Sequence, residues 1–249
     1  MLRHRYNWRP DHPDFRDKLF SVPVAKVSSV PKSMDLRPDM PPVVDQGQEG
    51  SCTGNAGAGL RDYMLLQKGI VHASSRQFIY YNERSLEGTI REDAGARVRD
   101  CMRVLRKIGA CAESKWPYLS SNMTKKPTPS CFTDAAKFKI SKYERVDNTS
   151  INDMLVALAD RRPIIGGFTV YDSFESATVA RTGVVPMPKK SEQPLGGHCI
   201  LVVGYSTADE RFIVRNSWGL NWGQKGYFTI PFDYFTNDNL ATDFWTATA

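Results

Sequence analysis

The sequence is poor in the residue types that build metal sites and disulfide frameworks. Its 249 residues hold five cysteines and four histidines, and no two cysteines have the C-x-x-C spacing of zinc or redox sites. A low, odd cysteine count also excludes a disulfide scaffold, because at least one thiol has no partner within the chain. Whether Cys111 and Cys131, which flank a loop rich in proline, serine and lysine, form a disulfide is left open.

The sequence also lacks a long apolar run and a concentrated patch of charge. No apolar stretch approaches the roughly 20 residues that span a bilayer, so we expect a soluble protein with no membrane partner. The N-terminal residues MLRHRYNWRPDHPDF contain no apolar core of a secretory signal. The net charge of +6 is spread along the chain without a recognised binding motif, so we expect no nucleic-acid partner.

Prolines and glycines divide the first half of the chain. Five prolines within residues 20–45 predict an extended arm. Apolar residues then recur at helical spacing over Cys52–Lys68 and Ala96–Ile108, and a glycine follows each stretch. Ser150 with Asp153 resembles a capping box that begins a third helix.

Strand-like segments dominate the chain beyond Pro163. They predict an α+β fold with a helical lobe followed by a sheet lobe. We divide the chain into an N-terminal extended arm (1–45), a mainly helical lobe (46–130) and a mainly β lobe (131–249). The segments that carry the strand pattern are PIIGGFTV, HCILVVGY, RFIVRNS and GYFTIPF.

One cysteine stands where a helix begins. The stretch DQGQEGSCTGNAGAGL (Asp45–Leu60) places Cys52 among five glycines at the start of the first helix. The unpaired N–H groups and the dipole of a helix N-terminus favour a thiolate, so Cys52 is a candidate nucleophile. The alternative is that a small residue is needed there for packing.

A cysteine nucleophile needs a base, and the base needs an orienting group. His198 follows two glycines at the mouth of an apolar strand, which suits a base, although a histidine that only caps a strand is the simpler alternative. Asn216 ends the next strand, where its amide oxygen can accept the ring N–H of His198. Trp218 would cover that bond, and Gln46, six residues before Cys52, can donate to an oxyanion.

These motifs, in this order, resemble the papain-like cysteine peptidases, and most closely the bacterial and viral members that lack the long prodomain. DQGQEGSC, KWPY, GGHCILVVGY and RNSWGLNWGQKGYF match over roughly residues 33 to 249. The resemblance implies a two-lobed fold, with the active-site cleft between a helical lobe and an antiparallel β-barrel-like lobe. The sequence departs from the family pattern at Glu49, where the family often has a cysteine, and at Thr53, where the family usually has tryptophan.

The resemblance also implies roles. Cys52 would be the nucleophile, His198 the base and then the acid, Asn216 the orienting group and Gln46 the oxyanion donor. The thiol would be largely ionised, with a pKa of about 3–4. Gly95 and Gly197 would bind the substrate backbone, and Trp218 would shield the histidine. No metal or organic cofactor is implied, the partner would be a polypeptide substrate, and we expect a monomer.

The function predicted is a cysteine endopeptidase that works through an acyl-enzyme. Two alternatives stay open: a catalytically silent binding protein on the same fold, and a transpeptidase or isopeptidase with the same triad. With no signal peptide visible, an intracellular or virion-associated location is favoured over secretion. The arm is expected to lie along the cleft and restrain activity, or to serve only as a strap on the sheet lobe.

Overall fold

The computed structural model describes residues 5–22 and 24–249. Residues 1–4 and 23, which belong to the predicted arm, lie outside this range. The described chain begins with an extended segment and then forms helices and strands. The helices are α1 (Val24–Val27), α2 (Cys52–Leu66), α3 (Arg76–Glu87), α4 (Val98–Lys107), α5 (Pro129–Ala135), α6 (Ile151–Ala159), α7 (Ala177–Thr182) and α8 (Phe232–Thr236).

The strands form one antiparallel sheet. They are β1 (Ser33–Asp35), β2 (Lys142–Arg145), β3 (Ile164–Tyr171), β4 (Pro194–Ser206), β5 (Arg211–Arg215), β6 (Tyr227–Pro231) and β7 (Ala241–Thr248). Their order is β2-β7-β3-β4-β5-β6, with β1 added to β4. The α+β prediction is confirmed, but the described strands do not close into a barrel, because the path ends at β2 and β6. The sheet is therefore open.

Helix α2 is the link between the helical part and the sheet. It packs against α3 and α4 on one side and against β4 on the other. Glycine at position 57 permits this close approach, since a Cβ there would collide with the sulfur of Cys101 on α4. The same helix begins at Cys52, so the packing that buries it also fixes the position of the candidate nucleophile.

Two large apolar clusters lie in the described part of the chain. One lies within the sheet lobe and includes Phe168, Phe174 and Phe228, while the other joins α2 and α4 to β4 and includes Leu60, Leu105 and Leu201. The division at residues 45 and 130 stays a prediction. Part of the predicted arm belongs to the sheet, because β1 pairs with β4.

Most predicted elements lie close to their observed bounds. The helices predicted over Cys52–Lys68 and Ala96–Ile108 correspond to α2 and α4, and the Ser150 side chain accepts a hydrogen bond from the backbone of Asp153 at the start of α6. Among the described residues no helix combines the length and apolar character needed to cross a bilayer.

Phe168 tests the packing that holds the sheet lobe beside the site. It is fully buried and its ring contacts those of Phe174 and His198, with centroids 5.3 and 5.8 Å away. We expect Phe168→Ala to lower the free energy of unfolding by about 3–5 kcal/mol, measured by urea denaturation. The matched control is Phe15→Ala, whose side chain is 99% exposed and whose loss should cost little. Equal losses in the two variants would contradict this role.

Candidate active site

Cys52 occupies the first position of α2 and is fully buried. Backbone N–H groups of Cys199 on β4, of Thr53 and of Cys52 itself lower the pKa of its thiol. Two of these groups belong to the helix N-terminus, which has no intrahelical acceptors for them. Because Cys199 directly follows His198, the thiol lies beside the strand that carries the candidate base.

His198 and Asn216 are joined side chain to side chain. Nε2 of His198 lies 2.9 Å from Oδ1 of Asn216, and both residues are buried. An amide oxygen can only accept, so Nε2 carries the hydrogen and donates it. The backbone N–H of Ser217 also donates to this oxygen, at 2.8 Å, which fixes the amide. This bond sets the tautomer of the ring.

Trp218 covers the histidine. Its ring stacks on that of His198, with centroids 5.0 Å apart and planes 28° apart, and only 5% of the tryptophan is exposed. Phe174 and Trp222 pack edge-on against Trp218, with centroids 5.4 and 5.0 Å away. The histidine–asparagine pair is therefore enclosed by aromatic rings that keep water away from it.

Gln46 is held in the loop before α2 by contacts on both its backbone and its amide. Its side-chain nitrogen donates to the carbonyl of Glu49 at 2.8 Å, and its side-chain oxygen accepts from the hydroxyl of Ser217 at 2.5 Å. The Tyr118 hydroxyl donates to its carbonyl oxygen at 2.8 Å. Ser217 follows Asn216 directly, so the loop of Gln46 and the turn of Asn216 are bound to each other.

The N-terminal arm crosses the cleft. The backbone N–H of Trp8 donates to Gly197 at 2.9 Å, and that of Arg9 donates to Ala96 at 3.2 Å. Gly95 has a positive φ of 69°, and a Cβ there would collide with the carbonyl of Asn7. The two glycines assigned to substrate binding therefore lie against the arm in this structure.

Side chains of the arm also cover the candidate active site. Tyr6 lies edge-on to the His198 ring, with centroids 6.1 Å apart, and its hydroxyl donates to Glu175. The Trp8 ring packs on Gly197 and on Gly167 of β3, and Trp8 is only 7% exposed. These positions could not be assigned from the sequence, although the arm was expected near the cleft.

Enclosure of the site acts on the Cys52 thiol. Burial raises the pKa of Cys52 to about 12, and the surrounding backbone N–H groups oppose this only in part. The resemblance implied the opposite direction. The lowered pKa in the family comes from pairing of the thiolate with the imidazolium, whereas burial is the largest influence on the Cys52 thiol in this structure, with the arm in place.

The carboxyl groups of Asp11 and Asp243 anchor the arm just beyond the residues that cross the cleft. The backbone N–H of Asp11 donates to Asp243 at 2.7 Å, and the Asp11 carboxylate accepts from the indole of Trp245 at 2.9 Å. Arg145 contributes an ion pair to Asp243 at 3.0 Å. Burial and the neighbouring Asp243 raise the pKa of Asp11 to about 7, while the Arg99 backbone and side chain oppose the rise.

The described residues contain no group of three or more His, Cys, Asp or Glu side chains arranged to hold a metal ion. The chemistry available at the site is that of a thiol, an imidazole and two carboxamides. Sequence reasoning did not identify Ser217 or Tyr118 as supports for Gln46, because neither contact follows from spacing along the chain.

Comparison with known proteins defines the class. Residues 30–244 match the sequence profile of the papain family cysteine proteases. The match covers most of the chain, so the protein belongs to the papain family and is a cysteine protease that hydrolyses polypeptides. The family resemblance read from the motifs is thereby confirmed.

Individual relatives agree with this assignment. An uncharacterised peptidase C1-like protein of Acanthamoeba polyphaga mimivirus is 39% identical over 242 residues, which are 94% of this chain and 75% of the relative. The crystal structure of xylellain, a cysteine protease from Xylella fastidiosa, superposes with a TM-score of 0.93 at 36% identity, covering 100% of this chain and 99% of that one. A cathepsin B-like protein of Giardia intestinalis is 33% identical over 236 residues, 86% of this chain and 74% of its own length.

The Asp11 carboxyl predicts that arm docking depends on pH. The free carboxyl has a pKa near 3.8 and the docked one about 7, so the docked arm holds its proton more tightly. Docking should therefore weaken as pH rises from about 4 to 7, by at most about tenfold per pH unit, and level off above 7. The measurement is the inhibition constant of a synthetic peptide of residues 5–16 against a chain that lacks residues 1–12.

The matched control is the same peptide with Asp11→Asn, which cannot ionise. Dividing the two inhibition constants at each pH removes the pH dependence of the protease itself. A ratio that stays constant from pH 4 to 7 would contradict the prediction.

Proposed function

We propose that this protease is an endopeptidase in which Cys52 is the nucleophile, His198 the general base, Asn216 the orienting group and Gln46 the oxyanion donor. The observation that supports this most is the 2.9 Å hydrogen bond from His198 to Asn216, together with the position of the Cys52 thiol at a helix N-terminus near Cys199, the residue after His198. A base that is held in one tautomer next to a nucleophile is the arrangement that covalent catalysis requires.

The proposed reaction follows from the tautomer. With the hydrogen of the ring on Nε2, Nδ1 is the nitrogen that takes the proton of the Cys52 thiol. The thiolate attacks the peptide carbonyl, and the imidazolium of His198 then protonates the leaving amine as the C–N bond breaks. Water, deprotonated by the same nitrogen, hydrolyses the thioester. Asn216 keeps the His198 ring in the required orientation through both steps. Trp218 excludes water that would compete for the hydrogen bond between His198 and Asn216.

Gln46 is proposed to stabilise the tetrahedral intermediate. Its carboxamide nitrogen has two hydrogens, of which one is donated to the Glu49 carbonyl at 2.8 Å. The other, together with the backbone N–H of Cys52, would donate to the developing oxyanion. Because Ser217 holds the amide oxygen, the nitrogen end is aimed without loss of side-chain entropy during the reaction.

Gly95 and Gly197 are proposed to pair with the substrate backbone. The support is that the arm, an extended peptide, lies against these two glycines from opposite walls of the cleft. A substrate strand would use the same edges once the arm has left, by the addition of a strand to exposed backbone groups. We further propose that the protein acts as an intracellular or virion-associated monomer, without a nucleic-acid or membrane partner.

The arm is proposed to hold the protease in a latent state. The arm and a substrate would compete for Gly95 and Gly197, and Tyr6 covers His198. The arm is covalently attached, so its effective concentration at the cleft is high and a free substrate displaces it poorly. Activity then requires that residues 5–12 leave the cleft.

Substitution of Gln46 tests the proposed catalytic machinery. In a chain lacking residues 1–12, Gln46→Ala should lower kcat by about 10²–10³ with little change in KM, because the oxyanion forms only during the reaction. Cys52→Ala should abolish hydrolysis. The measurement is steady-state cleavage of a panel of short fluorogenic peptides, with folding verified by circular dichroism.

The outcome of this panel separates the alternatives. Cleavage of several peptides supports a general endopeptidase, whereas acyl transfer to one acceptor amine would identify the transpeptidase or isopeptidase. Hydrolysis that survives Cys52→Ala, or a Gln46→Ala variant with unchanged kcat, would contradict the assigned roles. If the folded chain turns over no peptide, the alternative of a catalytically silent binding protein is favoured.

Trp8 tests latency in the full chain. Removing its buried ring should weaken arm docking by about 3 kcal/mol, so Trp8→Ala should raise the activity of the full-length protein by at least about tenfold. Phe15→Ala, on the exposed part of the arm, is the matched control and should leave activity unchanged. Equal activities for the full chain, the Trp8→Ala variant and the chain lacking residues 1–12 would reduce the arm to a structural strap.

A further inference from the structure

Two cysteines that the proposed reaction does not use lie in the same buried cluster. Cys111 and Cys131 are both fully buried in a small apolar cluster with Phe78, Trp116 and Ala135. The Cys131 side chain is close enough to Cys111 to raise the pKa of the Cys111 thiol. Two cysteines buried side by side in one cluster can reach bonding distance by a change of side-chain rotamer where the backbone holds the two residues close together.

The backbone around the pair is held by polar contacts between the two segments. The N–H of Ala112 donates to Asp134 on α5, the helix that carries Cys131, at 3.1 Å. Lys115 forms an ion pair with the same carboxylate at 3.3 Å, and its carbonyl accepts from the Cys131 thiol at 3.7 Å. The two contacts to Asp134 keep the segment that follows Cys111 against the helix whether or not the sulfurs are joined, whereas the Cys131 thiol gives up its hydrogen bond when the bridge forms.

We propose that Cys111 and Cys131 close to an intramolecular disulfide when the chain folds in the presence of a low-molecular-weight disulfide such as oxidised glutathione. One cysteine thiolate attacks the glutathione disulfide, which forms a mixed disulfide and releases one glutathione. The second thiolate attacks the cysteine sulfur of that mixed disulfide and releases the other. The two thiols lose two protons and two electrons, and the electrons reduce one oxidised glutathione to two thiols.

Closure takes place during folding rather than afterwards. In the folded chain, burial and the neighbouring Cys131 raise the pKa of the Cys111 thiol well above its usual range. A protonated, inaccessible thiol exchanges slowly, whereas both thiols are exposed in the unfolded chain. Once formed, the bridge is shielded from reductants by the same burial.

The bridge would also support the active site. The loop that it closes carries Tyr118, whose hydroxyl donates to the carbonyl of Gln46 at 2.8 Å and lies 2.5 Å from the Ser51 hydroxyl. Closing this loop restricts the unfolded chain and stabilises the folded one. The oxidised protein should therefore keep the loop of Gln46 intact to a higher temperature than the reduced protein.

The experiment uses the full-length chain with Cys52→Ala, which removes the proposed nucleophilic thiol. The reduced, unfolded chain is refolded in glutathione buffers of increasing oxidised fraction, quenched with acid, alkylated under denaturing conditions and mapped by mass spectrometry. We expect alkylation at Cys101 and Cys199, and recovery of Cys111 and Cys131 as one linked pair of peptides. The oxidised chain should melt about 5–10 °C above the reduced chain.

The control variant adds Cys131→Ser, which should abolish both the linked peptides and the rise in Tm. Alkylation of all four cysteines at every buffer composition, stable glutathione adducts, or a bridge between other cysteines would overturn the proposal, as would equal Tm values. If the double variant does not fold, the oxidised and reduced forms of the Cys52→Ala chain decide the question by themselves.

Discussion

The covered state of the active site depends on two backbone hydrogen bonds that join the N-terminal arm to opposite walls of the cleft. One runs from Trp8 to Gly197 on the sheet lobe, and the other from Arg9 to Ala96 on the helical lobe. An extended chain fits between the walls only because glycine at positions 95 and 197 leaves room for its backbone and for the Trp8 ring. The features that would admit a substrate are thus the features that admit the arm.

The electrostatics of the site follow from the presence of the arm in the cleft. With the arm in place, Cys52 and His198 are fully buried, and desolvation raises the pKa of the thiol. Preorganisation is nevertheless retained, since Asn216 still orients the imidazole and Ser217 still holds Gln46. In the proposed latent state, access and desolvation are what limit activity, because Asn216 and Ser217 already hold His198 and Gln46 in place.

Local sequence patterns predicted the elements whose form is decided locally. Helical spacing located α2 and α4, the capping box located the start of α6, and apolar runs bounded by turns located β3 to β6. Strand β7 carries no prediction, because the sequence ATDFWTAT has no alternating pattern and its residues become buried only between β2 and β3. Helix α3 was missed because Phe78–Tyr81 is a continuous apolar run that suits a strand as well as a helix.

The order of motifs along the chain was enough to name the candidate catalytic residues, but not their environment. The course of the arm depends on contacts between residues far apart in sequence, such as Asp11 with Asp243 and Tyr6 with Glu175. The open sheet is likewise a property of how distant strands pair. These contacts determine whether the thiol meets water, so the direction of the Cys52 pKa could not follow from helix position alone.

The most direct test is labelling of Cys52 by an epoxysuccinyl inhibitor of cysteine peptidases, read by intact-mass and peptide mass spectrometry. The account predicts a single adduct on Cys52 that forms rapidly in the chain lacking residues 1–12 and slowly or not at all in the full-length chain. Cys52→Ala should give none in either. Equal labelling of both chains would contradict the covering role of the arm, and an absence of labelling in both would contradict the assignment of Cys52 as nucleophile.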